Sequence, residues 1–170
     1  ANLYRSDDPA IVLLPAMEKL RDLLGETVSL YVRDRTERVR IQAVQSAQSV
    51  RRVAPIGVRL PLSVGASGKA LLAFAEPAVR DAVLDELSAS AWPAGPDRPA
   101  YIRQLNDIAA AGYATSFEER ESGAAAIAAP IYNRAGKLVA ALSVSGPSNR
   151  LTPEEMKQHA PLVMDAAKTM

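Results

Sequence analysis

Residues 113–155, YATSFEERESGAAAIAAPIYNRAGKLVAALSVSGPSNRLTPEE, decide the fold. Tyr113 to Phe117 reads as a short strand, Gly123 to Tyr132 as a second and Leu138 to Ser145 as a third. Asn133-Arg134-Ala135-Gly136 is the turn between the last two, and strands joined so tightly must pair antiparallel. Alternation along the third strand puts Val139, Ala141, Ser143 and Ser145 on one face and Leu138, Ala140, Leu142 and Val144 on the other. In the partner strand Ala124, Ala126 and Ala128 oppose Ala125, Ile127 and Ala129 in the same way. A face of alanine and serine fills little volume, so either a helix packs unusually close to it or a cavity lies over it. Buried serine hydroxyls need partners. A polar small ligand would supply them, and so would backbone carbonyls or water. Thr152-Pro153-Glu154-Glu155 then opens a helix with a capping box, and that helix can run to the C-terminus.

Upstream, Asp8-Pro9 followed by Ile11, Leu14, Met17, Leu20, Leu23 and Leu24 gives apolar residues at three- and four-residue steps, the mark of an amphipathic helix. Pro15 implies a kink or a late start, and Gly25 stands where helices end. Thr27 to Arg33 and Arg38 to Val44 alternate with period two around a hairpin loop, Asp34-Arg35-Thr36-Glu37. Val39, Ile41 and Ala43 then share one face, and Arg38, Arg40 and Gln42 the other. Val53 to Leu62 reads as extended chain interrupted by Pro55, Gly57 and Pro61. Gly65-Ala66-Ser67-Gly68 is a turn into a helix from Lys69 to about Phe74. Pro77 to Leu87 is helical, with Val79, Val83, Leu84 and Leu87 on one stripe. Residues 88–100 read as loop, and Ile102 to Ala111 as a helix stopped by Gly112. The expected fold is α/β of the α+β kind: one antiparallel sheet of about five or six strands with helices packed on it.

At 170 residues the chain is one domain with room for a sizeable core. Twenty basic side chains against 19 acidic ones leave a net charge of +1. Nucleic-acid binding by this segment would need a concentrated basic surface, which that balance does not supply. No apolar run approaches the roughly 20 residues of a membrane span. With no cysteine, thiol nucleophiles, disulfides and thiolate metal sites are excluded.

The Gly65–Lys69 turn invites a phosphate-loop reading, but position 63 is serine where that loop needs glycine, and position 70 is alanine where it needs Ser or Thr. The turn still suits an anion, because N–H groups at a helix start lie at the positive end of its dipole. The alternative is that Ser67 caps the helix and the glycines permit a tight turn. Glu118-Glu119-Arg120-Glu121 lies between two strands and reads as a solvated loop. Carboxylate catalysis needs a positioned substrate and shifted pKa values, for which there is no sign. His159 is the sole histidine and no G-x-S-x-G elbow surrounds a serine, so neither a metal site nor a nucleophilic triad is indicated. Arg51-Arg52 read as surface charge, with reach to an anionic ligand.

GVRLPLSVGASGKALLAF (Gly57 to Phe74), followed by the block from Ala111 to Thr152, resembles the effector-binding domain of IclR-type transcriptional regulators. The likeness covers nearly the whole chain from about Leu13. It is carried most specifically by the LP…GKA-LA segment, the GYA…EE…G…AAP block and the SVSGP end. The resemblance implies a GAF-like fold in a cytoplasmic bacterial regulator with no catalysis and no cofactor, assembled as a homodimer or homotetramer. It implies operator binding only through a winged helix-turn-helix domain absent from this chain, whose opening Ala1 suits a start inside a longer product. It also implies a small, carboxylate-bearing metabolite as effector. By position, the family's carboxylate contact falls on Ala66 and Ser67 beside Gly68. Leu60 becomes part of an apolar wall, and Ser143 and Ser145, with Ala141 on the same strand, become the opposite side. Ser116 stands where an acid is common, Ala126 where cysteine is common, and Ser63 where histidine is common. The smaller side chains at 116 and 126 leave room for a bulkier ligand than a short oxo acid. The alternatives are a GAF-like enzyme, though enzymes of that kind use cysteine pairs, and a purely structural oligomerisation module.

Overall fold

The computed structural model describes residues 8–47, 55–89 and 98–170. Six strands, β1 (Thr27–Asp34), β2 (Glu37–Val44), β3 (Arg59–Pro61), β4 (Ala114–Phe117), β5 (Ala124–Tyr132) and β6 (Leu138–Pro147), form one antiparallel sheet in the order β3-β2-β1-β6-β5-β4. Helices cover both faces. α1 (Pro9–Val12), α2 (Leu14–Leu24) and α6 (Pro153–Lys168) lie on one side; α3 (Ala66–Ala73), α4 (Pro77–Ala89) and α5 (Arg98–Ala111) belong to the other. No helix among the described residues is long and apolar enough to cross a membrane.

The two faces carry two cores. On the first, Met17 and Leu20 of α2 and Met156, Ala160 and Val163 of α6 close over Val28, Leu30, Ile127, Leu142 and Val144. On the second, Leu72 of α3, Leu84 of α4 and Leu105 of α5 pack with Tyr31, Ala114, Ala128 and Ala141. All eight residues of α3 are buried, so this short helix is held by packing rather than by intrinsic helicity.

The elements follow local chemistry. Asp8 caps α1, a break at Leu13 separates it from α2, and Pro15 falls in the first turn of α2, where a missing N–H costs nothing. Gly25 takes the left-handed conformation (φ 71°) that ends α2. The Thr152 hydroxyl accepts from Glu155 N–H at 3.2 Å at the start of α6. Thr152→Ala is expected to lower stability by about 1 kcal/mol, a fall of roughly 2–4 °C in thermal midpoint. A midpoint unchanged on melting would show that water replaces the cap without loss.

Two bulges revise the face assignments. Leu30 pairs with Gln42 but Tyr31 with Arg40, so Ile41 is an extra residue in β2. Arg38 and Arg40 therefore share the Tyr31 face. Gln42 is turned to the opposite one, where its Nε2 donates to Ala10 O at 2.9 Å, and Ala43 comes round to the Arg face opposite Ser29. A second irregularity follows Ile131, where Tyr132 pairs with Leu138 and Ala140 with Ile131, leaving Val139 over. Val139 joins the first core and Leu138 the second, the reverse of simple alternation. The chain is also more helical than its punctuation suggests: α5 begins at Arg98, not Ile102, and α4 continues to Ala89. Extended chain between Pro55 and Leu62 is confined to β3. Arg51-Arg52 lie outside the described residues.

Candidate functional site

The alanine–serine face proves to have both consequences that its small volume allows. Strand register lays it out in rows: Ala114, Ala128, Ser143 and Ser29 across one, and Ser116, Ala126, Ser145 and Thr27 across the next. α3 packs onto the floor at Ala114, Ala128 and Ala141 through Ala66 and Ala70. Beyond the helix start the floor is open, and a cleft of about 80 Å³ lies over Ser116, Ala126, Ser143 and Ser145. Since a single water needs about 10–15 Å³ by that measure, the space suits a small molecule or several waters. Ser29 Oγ, buried in the row of Ser143, has no hydrogen-bond partner among the described residues.

α3 begins at Ala66, three residues before the sequence-based start at Lys69. Its N-cap is Gly65 (φ 89°, ψ 156°), a backbone conformation suited to glycine, and no side chain caps it. Ser67 is thus inside the first turn, and the reading of Ser67 as the capping residue is corrected. The first intrahelical bond runs from Lys69 N–H to Gly65 O, so the N–H groups of Ala66, Ser67 and Gly68 precede it at the positive end of the helix. Ala66 and Ser67 line the cleft.

Arg38 holds this helix start in place. Its side chain crosses from β2, and Nη1 donates to Pro61 O and, at 2.7 Å, to Val64 O. Tyr101 OH donates to Ser63 O at 2.8 Å, fixing the same segment from α5. A Cβ on Gly65 would lie 2.7 Å from Arg38 Nη2, so the absence of a side chain there admits the guanidinium. Burial lowers the Arg38 pKa to about 10, with the charges of Arg120 and Arg40 acting in the same direction and Tyr31 opposing. Arg38 therefore remains a cation at neutral pH. Arg40 Nη2 donates to Tyr31 Oη, and the two guanidinium carbons lie 5.5 Å (Arg38) and 5.1 Å (Arg40) from the Tyr31 ring centre.

The acidic stretch is not simply solvated. Glu119 Oε2 accepts from Lys69 Nζ at 2.5 Å, and its Oε1 accepts from Gly65 N–H at 3.4 Å. Glu118 accepts from Gly123 N–H at 2.7 Å. The β4–β5 connection is thereby tied to the start of α3, and Arg120 and Glu121 reach the cleft wall.

Of the residues singled out from sequence, Leu60, Ala66, Ser67, Ser116, Ala126, Ser143 and Ser145 come together around this cleft. Gly68 and Ala141 are not among its lining residues. Ala141 is fully buried under α3, and Gly68 faces Leu62 and Arg38. Sequence reading missed Tyr31, Arg40 and Arg120 as lining groups, and Arg38 as the support of the helix start. The one available signal was that Arg38 and Arg40 alternate with apolar residues in β2. His159 lies within 3.7 Å of Glu155 on α6, away from the cleft, and no cluster of three metal-ligating side chains occurs among the described residues.

Residues 5–170 match the family described as the bacterial transcriptional regulator IclR C-terminal region. The chain belongs to the IclR family. This IclR domain is 37% identical over 158 residues to the HTH-type transcriptional repressor AllR of Klebsiella pneumoniae, covering 92% of the chain and 58% of the relative. It is likewise 37% identical to AllR of Escherichia coli K12, covering 91% of the chain and 58% of the relative. The chain thus spans less than two thirds of the length of these curated relatives. Among solved structures, Thermotoga maritima IclR superposes with a TM-score of 0.85 at 28% identity, over 96% of this chain and 67% of that one. The inducer-binding domain of Acinetobacter PobR, a double mutant in complex with 3-hydroxybenzoic acid, superposes at 0.80 with 27% identity, over 93% and 94% of the two chains. The curated relatives are transcriptional regulators, not enzymes.

Proposed function

We propose that the cleft is the effector site of this IclR domain and that it takes a small organic acid. The observation that carries the reading is the opening of the Ala66–Ser67 helix start into a cleft whose far side presents Ser143 and Ser145. Two backbone N–H groups at the positive end of α3 meet a carboxylate, and the hydroxyls meet its other polar atoms. The bound 3-hydroxybenzoic acid of the PobR domain is a ligand of this class and supports the assignment. Leu60, Ser116 and Ala126 shape the remaining wall.

In the full-length regulator the acid would bias operator binding. A DNA-binding part outside these residues would contact the operator, and rearrangement of a homodimer or homotetramer in the cytoplasm would carry the signal. Such a shift needs different affinity for the acid in the two arrangements.

The test is thermal melting of the domain with a panel of metabolite acids. An acid present at about 100 times its dissociation constant should stabilise the native state by about 2.7 kcal/mol. Stabilisation by neutral or cationic compounds with no response to any acid would overturn the carboxylate reading.

A further inference from the structure

The acid reading accounts for one carboxylate, yet the cleft carries more positive charge than one carboxylate balances. Three guanidinium groups, Arg38, Arg40 and Arg120, line it against a single carboxylate, Glu121, an excess of two positive charges. Glu119 does not offset them, since it is engaged with Lys69. Arg38 is only 3% exposed and has no carboxylate partner among the described residues; its Nη1 is held by two neutral carbonyls and its Nε by nothing. Arg40 donates to the neutral Tyr31 hydroxyl, and its Nε too lacks a partner. Arg38 is buried and Arg40 half-buried on one face of one strand, and neither meets a carboxylate among the described residues, a costly arrangement for cations withdrawn from water. An anion between them removes the penalty.

We propose that the effector is a dicarboxylate, held at both ends. This deepens the acid reading and rests on it. One carboxylate occupies the start of α3, where Arg38 Nη2 lies against Gly65 beside the N–H groups of Ala66 and Ser67. The second accepts from Arg40, two residues along β2 on the same face. Two residues of strand span roughly 7 Å, which fits an acid of about four to six carbons with its carboxylates at the chain ends. The Tyr31 ring, against which both guanidiniums stand, backs the chain between them. Arg40 is then the residue that separates dicarboxylates from monocarboxylates of equal length, because an unmet guanidinium penalises the acid lacking the second charge.

Titration calorimetry of the domain with glutarate and adipate, against valerate and hexanoate, tests this. The diacids should bind at least about tenfold more tightly than the matched monoacids, the order of one charge-assisted hydrogen-bonded pair. Arg40→Gln should weaken glutarate to the level of valerate, and Arg40→Lys should keep part of the preference. Circular dichroism melts of both variants verify that they fold. Equal binding of diacids and monoacids by the parent domain overturns the dicarboxylate assignment and leaves the acid reading standing. So does an Arg40→Gln variant that retains the full diacid preference. Failure of all four acids overturns the dicarboxylate assignment, and the melting panel above then decides the acid reading separately.

Discussion

Glu119→Ala is expected to destabilise the domain far more than Lys69→Met, although the two residues form one ion pair. The asymmetry follows from burial. The Lys69 side chain is 2% exposed and that of Glu119 is 34% exposed. Removing the glutamate strands an ammonium group beside a core of alanine, leucine and other apolar side chains. Breaking a buried pair in this way costs about 3–5 kcal/mol, and the partial exposure of Glu119 argues for the lower part of that range. For a domain of this length that is a fall of roughly 6–16 °C in melting midpoint. Lys69→Met keeps the stem of the side chain in place and removes the charge. Glu119 can then turn to water, so the change should stay within about 1 kcal/mol. The double variant should recover most of the stability lost in Glu119→Ala alone, a coupling that denaturant titration of the parent, both singles and the double measures directly. Equal losses in the two singles, adding in the double, would mean that the pair is a surface contact and that the β4–β5 connection is not anchored through it.

That pair also shows what a sequence can and cannot disclose here. Period two in LVAALSVS and AAAIAA is a local property, and it announces the antiparallel hairpin, the apolar and small-residue faces, and the presence of either a close helix or a cavity. Both turned out to be present, in adjacent rows of the same face. Lys69 and Glu119 are fifty residues apart, and nothing in the spacing of either segment brings them together, so Glu118–Glu121 read as solvated. The bulges at Ile41 and Val139 were equally hidden. One inserted residue reverses every face assignment beyond it, and apolar alternation alone does not mark where it falls. Alternation before the bulge places Arg38 and Arg40 together on the face opposite Val39, as the register has them. That they stand beside Tyr31 and the start of α3, however, depends on the β1–β2 register and on the path of the chain from β3. The helix start was legible as a glycine-rich turn, but its position was not. Ser67 is a good capping residue by propensity, yet Gly65 takes the cap because only a residue without a side chain leaves room for the Arg38 guanidinium.

The same crowding makes Gly68→Ala the second large effect. Gly68 has ordinary helical geometry, so intrinsic propensity favours alanine by about 1 kcal/mol. Packing opposes it decisively. A Cβ at this position would fall inside contact distance of the Leu62 carbonyl oxygen, 2.9 Å from its carbonyl carbon and 2.8 Å from Arg38 Nη1. Neither neighbour can give way cheaply. Leu62 N–H donates to Thr36 O, Pro61 O and Val64 O accept from Arg38, and Ser63 O accepts from Tyr101, so the segment is held on both sides of the clash. α3 cannot retreat either, since every residue in it is buried against the sheet or against α5. Overpacking in such a setting costs about 1–3 kcal/mol beyond the propensity gain, and more where backbone is the obstacle. The relaxed structure must lift the first turn of α3 from the Leu62 segment, moving the N–H groups of Ala66 and Ser67 away from Ser143 and Ser145. Gly68→Ala should therefore lower the melting midpoint by several degrees. It should also abolish the stabilisation by acids expected of the parent domain, although Gly68 is not among the residues that line the cleft. A variant as stable as the parent, as propensity alone requires, with an undiminished response to acid would show that the Leu62 segment yields, and that Arg38 does not fix the helix start.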